Sequence, residues 1–357
     1  MCQEVLIQYL ELHLGKDAAI EKFIRYKDRG DENDKHNFIR KNASKISELL
    51  DAVKICDPAI GSGAFPMGLL QEIFHAKLAL DWTLLDKKGD VKRAIIQNSI
   101  YGVDKDKGAV DIARLRFWLS LIVDEDVEEG EKPQPLPNFD YKIMQGDSLL
   151  ESFKGYSLKY HEEQIEPEQT DLFNTQKQIN IFKKTHTDLA VLEKDFFDPK
   201  NNHRKEEIRN KIDELVAFSI EQSFKDLIAE KKRSVTSISK NIAPDKAKKA
   251  KQEKIMAQLE TDIEQMQQAL KDIKPLLKKD EKPWFLWHLF FKDVFDKGGF
   301  DIVIGNPPYI RQESITDIKP YLEKIDGKPN YEVYNSTSDI YTYFFELGHK
   351  ILKEDKG

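Results

Sequence analysis

The stretch Gly299–Tyr309 (Gly-Phe-Asp-Ile-Val-Ile-Gly-Asn-Pro-Pro-Tyr) leaves the surrounding chain few options. The unbroken apolar run Ile302–Ile304 suits a short strand buried on both faces, as in a parallel sheet. Gly305 ends the run, and Pro307 and Pro308 together bar both helix and further ladder pairing. A rigid, non-repetitive loop at the carboxyl end of a buried strand is where open α/β sheets place their ligands. An α/β fold is the expectation.

The loop residues form a matched set. Asn306 carries a side-chain carbonyl acceptor and an amide donor, Pro307 a carbonyl with no competing N–H, and Tyr309 a flat aromatic face. An exocyclic amine such as that of adenine needs two acceptors and a stacking surface. Acceptors on both N–H bonds steer the nitrogen out of ring conjugation and stabilise positive charge as it grows during alkylation. The structural alternative is a Pro-Pro turn after a core strand.

Three earlier segments repeat a strand-then-acid pattern. Val53–Cys56 reads as a strand running into Asp57-Pro58-Ala59-Ile60-Gly61-Ser62-Gly63, and Pro66 suits the first turn of a helix through Leu69, Leu70, Ile73 and Phe74. No Lys follows the glycines, so the turn is not a phosphate-binding P-loop, and the spacing is not the dinucleotide fingerprint. Asp57 would repel a pyrophosphate but suits a cofactor's ammonium, which favours S-adenosylmethionine over NAD. The next strand, Ile100–Val103, ends at Asp104, placed to accept two ribose hydroxyls. Its alternative role is an N-cap for the helix Ala109–Ile122, whose apolar positions are Ile112, Leu115, Leu119 and Ile122. After an acidic loop from Asp124 to Asn138, Tyr141–Gln145 forms a third strand ending in Gly146-Asp147-Ser148. Asp147 is suited to accept from an adenine amino group or to cap a helix.

Upstream, Val5–Leu14 has helical apolar spacing, a charged polar stretch runs to Asn42, and a short helix is expected over Ser44–Asp51. Between the third strand and the fourth lie roughly 150 residues, far beyond an ordinary connection. Residues 203–232 and 246–274 read as two long helices, the second stopped by Pro275, with a seam at Leu259, Ile263, Met266, Leu270 and Ile273. An antiparallel helical hairpin accounts for them. Nine cations between Lys231 and Lys254 face only Asp245 and Glu253, in a chain whose formal net charge is -7. Such a tip is either solvated lysine or, through Lys246, Lys248, Lys249 and Lys251, a contact to duplex phosphates.

The 357 residues have room for two domains or for one with a large insertion. The acidic balance leaves nucleic-acid contact to local patches. Two cysteines, Cys2 and Cys56, make no disulfide framework and suggest a reducing cytosol, and no apolar run reaches the ~20 residues of a membrane span. A cytoplasmic protein without a membrane segment is expected. Four segments are predicted: an N-terminal helical segment 1–52, a cofactor-binding half 53–150, a helical insertion 151–283 and a catalytic segment 284–357.

Taken together, Asp57–Phe65, Tyr101–Asp104, Gly146–Leu149 and Asn306–Tyr309 resemble the motifs of the adenine-N6 DNA methyltransferases, in the gamma-class order. Trp284–Phe295 leading into Gly299–Ile310 is similar to the single-chain type IIG restriction–modification enzymes. The resemblance implies a class I methyltransferase (Rossmann-like) sheet, S-adenosylmethionine as cofactor, double-stranded DNA as partner, base flipping and a role in phage defence. It assigns Asp57, Pro58, Ala59, Gly61, Ser62, Gly63, Asp104, Asp147 and Ser148 to the cofactor, and no metal. Asn306, Pro307, Pro308 and Tyr309 become the catalytic set, with Tyr309 stacked on the flipped adenine. Ile60 stands where many members have Cys. The resemblance also implies that the sheet is incomplete at Gly357. Further strands, a target-recognition domain and a possible fused nuclease would then lie elsewhere, Ile302–Ile304 would keep an uncovered edge, and this stretch alone would be inactive. Two other readings share some of these features: a protein-glutamine methyltransferase and a non-catalytic, cofactor-sensing DNA-binding subunit.

Overall fold

A computed structural model describes residues 1–31, 37–123, 139–158, 188–189, 191–192, 195–196, 199–242, 244–277, 281–325 and 327–354. The expected loop Asp124–Asn138 lies outside them. The chain forms two compact units: Met1–Leu149 with Phe291–Ile315 and Asn335–Gly357, and Leu150–Phe290 with Thr316–Tyr334.

The first unit is built on a parallel sheet of β1 (Ile55–Asp57), β2 (Ile100–Asp104), β3 (Ile143–Gln145) and β6 (Ile302–Val303), in the order β3-β2-β1-β6. Ile55 pairs with Ile100 on one side and Ile302 on the other, so β1 is central. Because every strand is parallel, the loops after all four open at the same end of the sheet. This is the class I methyltransferase α/β arrangement. Asp301, buried just before β6, accepts from the Lys54 amide at 2.7 Å and pairs with Lys353.

Helices α1 (Cys2–Leu14), α2 (Ala18–Tyr26), α3 (Phe38–Lys41), α4 (Ala43–Ala52), α5 (Ala64–Leu80), α6 (Lys88–Ser99) and α7 (Lys107–Ile122) belong to this unit. Two expectations change here. The polar stretch after α1 holds a helix, α2, because Asp17 caps it by accepting from the Ala19 amide at 2.8 Å and Ile20, Phe23 and Ile24 bury one face. In α7 the predicted period holds but its phase does not: Val110, Ala113, Phe117 and Leu121 face the core, while Ile112, Leu115, Leu119 and Ile122 are about half exposed. On this inner face Ala113 packs against Gly63, where a Cβ would lie only 3.3 Å from its methyl. β6 is the edge strand, as expected: among the described residues Ile302 and Val303 pair with β1 alone, and a neighbour on the other side is met only by Phe300, ahead of the strand. Leu352 bridges Phe300 in parallel, with the Phe300 amide donating to the Ile351 carbonyl at 2.9 Å.

The second unit contains the hairpin β4 (Ser152–Phe153) and β5 (Tyr156–Ser157), turned through Lys154 and Gly155, both at positive φ. Two long helices follow, α8 (Lys205–Lys240) and α9 (Lys246–Leu277). They are antiparallel: Gln252 donates to the Asn241 carbonyl at 3.0 Å, Lys231 pairs with Asp262 at 3.0 Å, and Lys274 with Glu221 at 3.7 Å. At 36 residues, α8 is about 54 Å long. Pro275 does not stop α9, which runs on to Leu277 with Ile273 and Leu277 both buried. α8 also extends past residue 232, so Lys231, Lys232 and Arg233 sit in the stem rather than at the turn. The short helices α10 (Trp287–Phe290) and α12 (Lys319–Glu323) belong to this unit too, whereas α11 (Lys292–Phe295) and α13 (Ile340–Ile351) belong to the first.

Candidate active site

The open end of the sheet collects all the predicted site residues of the first unit. At the end of β1, Asp57 turns back on its own loop and accepts from the Ala59 amide at 3.0 Å. It is buried, and desolvation pushes its carboxyl up to about 7, with nearby Asp104 adding to the rise and the Ala59 hydrogen bond opposing it. Gly61 and Gly63 take positive φ values of 53° and 79°, which a side chain would strain. Ile60, just before them, is not an incidental turn residue. It is buried and fills the space over Gly102, where a Cβ would come within 2.3 Å of its Cδ1.

Asp104 ties this turn to β2. One carboxylate oxygen accepts from the Gly61 amide at 2.8 Å and the other from the Asp106 amide at 2.9 Å. The N-cap of α7 is Asp106, accepting from Gly108 and Ala109, so Asp104 is not a helix cap. Each of its oxygens retains a second lone pair for a ligand hydroxyl. After β3, Asp147 accepts from the Leu149 amide at 3.2 Å and meets Lys105 at 3.1 Å, closing a turn rather than capping a helix. Ser148 donates its hydroxyl to the Pro58 carbonyl at 2.6 Å, joining the third loop to the first. Ser62 is engaged by Arg116, whose guanidinium reaches its carbonyl at 3.0 Å and its hydroxyl at 3.1 Å.

The loop after β6 lies against this cradle. A Cβ on Gly305 would stand 2.6 Å from Asp57 Oδ1, so the residue preceding Asn306 touches the carboxylate that ends β1. Beyond it the loop opens outward: Asn306, Pro308 and Tyr309 are exposed and Pro307 half-buried. Sequence reasoning missed Arg116, Lys105 and two aromatic neighbours of Tyr309, namely Tyr341, 6.1 Å away by ring centroid, and Phe345 beyond it. The i, i+4 spacing of Tyr341 and Phe345 was the available signal. Among the described residues no metal-binding cluster of His, Cys, Asp or Glu occurs, and no helix is long and apolar enough to cross a membrane.

The donor set fits S-adenosylmethionine. A desolvated carboxylate suits an ammonium, a second acid with free lone pairs suits a ribose, and the two positive-φ glycines let a ligand approach the backbone closely.

Comparison with known proteins agrees with this architecture. The chain is 28% identical over 326 residues to a protein of Methanocaldococcus jannaschii named as a type II restriction enzyme and methyltransferase, covering 86% of this chain and 25% of that one. It is 32% identical over 120 residues to a type II restriction enzyme and methyltransferase of Escherichia coli, covering 29% of this chain and 12% of that protein. The chain thus spans a quarter or less of the length of these relatives. The profile of the Eco57I restriction-modification methylases matches residues 98–357, taking in β2, β3, the helical hairpin, β6 and α13, and the chain belongs to that family.

Proposed function

We propose that the whole protein transfers a methyl group from S-adenosylmethionine to the N6 amine of adenine in double-stranded DNA, as the modification activity of a type IIG-like restriction–modification system in phage defence. The observation that carries this reading is the contact of Gly305 with Asp57, which puts the Asn306–Tyr309 loop beside the cofactor turn at neighbouring strand ends. Restriction–modification relatives favour DNA as the substrate.

Asp57, Asp104, Gly61, Gly63 and the loops carrying Pro58, Ala59, Ser62, Asp147 and Ser148 would hold the cofactor. When bound, S-adenosylmethionine supplies an activated methyl group and a thioether leaving group. The Asn306 side-chain carbonyl and the Pro307 carbonyl accept the two N–H bonds of the target amine. They localise its lone pair, and they stabilise the cationic nitrogen until its proton passes to solvent. Pro308 stiffens the loop that holds them, and Tyr309 offers a stacking face to a base flipped from the duplex. At the hairpin tip, Lys246, Lys248, Lys249 and Lys251 are all exposed and suited to phosphate contacts.

The test is transfer of labelled methyl from S-adenosylmethionine to duplex DNA by the full-length protein, followed by nucleoside analysis. Label in N6-methyladenine is expected. Label in cytosine or in protein, or none in DNA, would overturn the reading.

A further inference from the structure

The first turn of α13 holds the loop that leaves the candidate active site. The Ile340 amide donates to the Ile310 carbonyl at 3.1 Å, and the Gln312 amide to the Asp339 carboxylate at 2.9 Å. These two ties set Tyr309 against Tyr341, with ring planes inclined by 44°. One helical turn on, Phe345 meets Tyr341 at 6.4 Å, edge to face at 84°. The three rings make one continuous strip leading away from Asn306.

The strip is open to solvent: Tyr309 is 79% exposed and Phe345 73%. Packing of α13 does not require it, because Ile340, Tyr343, Leu347 and Ile351 bury the helix's other face. Large exposed aromatic rings in a contiguous row mark a binding surface. The arrangement suits nucleobases better than an apolar pad. Mutually tilted rings present separate π faces, and each pair of centroids is 6.1 or 6.4 Å apart. That interval is nearly twice the ~3.4 Å per-strand rise of stacked DNA, as suits a strand drawn out where one base has left the stack. Arg311, exposed two residues after Tyr309, adds a cation beside such a strand.

We propose that Tyr341 and Phe345 extend the base-binding surface of Tyr309 to the nucleotide next to the target adenine. Tyr341 braces the Tyr309 ring, and Phe345 stacks on the neighbouring base. The inference rests on the reading of Tyr309 given above.

The test uses the full-length protein and a short oligothymidylate strand with one central adenine, alongside the same strand with abasic residues flanking that adenine. Affinity is read by fluorescence anisotropy. Phe345→Ala should weaken binding of the intact strand about 5- to 150-fold, the worth of one stacked base. Phe345→Trp should retain affinity. On the abasic-flanked strand, wild type should already be weakened and Phe345→Ala should cost nothing more. Unchanged S-adenosylmethionine affinity shows that each variant is folded. Wild-type affinity for Phe345→Ala on the intact strand would overturn the proposal, as would an equal loss on both strands. A failure of the adenine reading is separable, because it appears as absence of methyl transfer by the wild-type protein whatever the residue at position 345.

Discussion

The loops after β1 and β6 leave neighbouring strands of one sheet, yet they are built in opposite ways. In and around the β1 turn the polar groups are spoken for: Asp57 by Ala59, Ser62 by Arg116, and, from the neighbouring strand ends, Asp104 by Gly61 and Asp106 and Ser148 by Pro58. Its shape exists before any ligand arrives. In the β6 loop, Asn306 is exposed and its side chain makes no hydrogen bond among the described residues, while Tyr309 stands largely in solvent. A cofactor that is bound in every cycle rewards a rigid seat. On the proposed function, a base that must first leave a duplex is better served by groups that stay unpaired until it comes.

The contrast makes predictions that fall off in size. Asn306→Ala removes an acceptor that acts as charge develops, so turnover should drop about 100- to 1000-fold, with S-adenosylmethionine affinity unchanged by calorimetry. Equal losses in both would erase the distinction between the two loops. Asp104→Ala should do the converse. It should weaken cofactor binding by about 1.5–3 kcal/mol, roughly 10- to 150-fold, while leaving DNA affinity intact.

Asp57 gives the pH dependence. Its carboxyl, raised to about 7, is neutral below that value and can pair with an ammonium only when ionised. Cofactor affinity should therefore fall about tenfold per unit as pH drops below 7. It should level off between pH 7 and about 8, where an α-amino group begins to lose its own proton. A flat calorimetric profile from pH 6 to 8 would remove Asp57 as the ammonium partner. The smallest effect on the site is expected from the hairpin tip. Replacing Lys246, Lys248, Lys249 and Lys251 by Gln should leave turnover at saturating DNA unchanged. The slope of log affinity against log salt should become shallower by up to about 4, at ~0.9 per lost phosphate contact.

Much of this arrangement was legible in the sequence. Short apolar runs ending in Asp57, Asp104, Asp147 or Asn306 identified the four parallel strands, because both-face burial and loop chemistry are local properties. The hairpin was equally visible as a helical period. What stayed hidden depended on neighbours. In α7 two apolar stripes have helical spacing, and the choice between them lies with the sheet and with Gly63, which packs closely on Ala113. α2 is only nine residues long in a charged stretch, so its three buried apolar residues, Ile20, Phe23 and Ile24, were not enough to signal a helix. The role of Ile60 appears only once Gly102 lies under it, and the Tyr309–Tyr341–Phe345 strip only once α13 folds back on the loop.

The long insertion also sets a timetable for biosynthesis. Lys54, at the foot of the central strand, receives its partner Asp301 from 247 residues further along the chain. At roughly 5–20 residues per second of translation, about 12–50 s pass before that partner emerges from the ribosome. Throughout this interval β1 has one flank without its ladder, and the helical hairpin has been completed in the meantime. β6 is thus a late closing piece, and a nascent chain stalled inside the hairpin would present an open parallel edge to whatever chaperone or neighbouring strand is at hand.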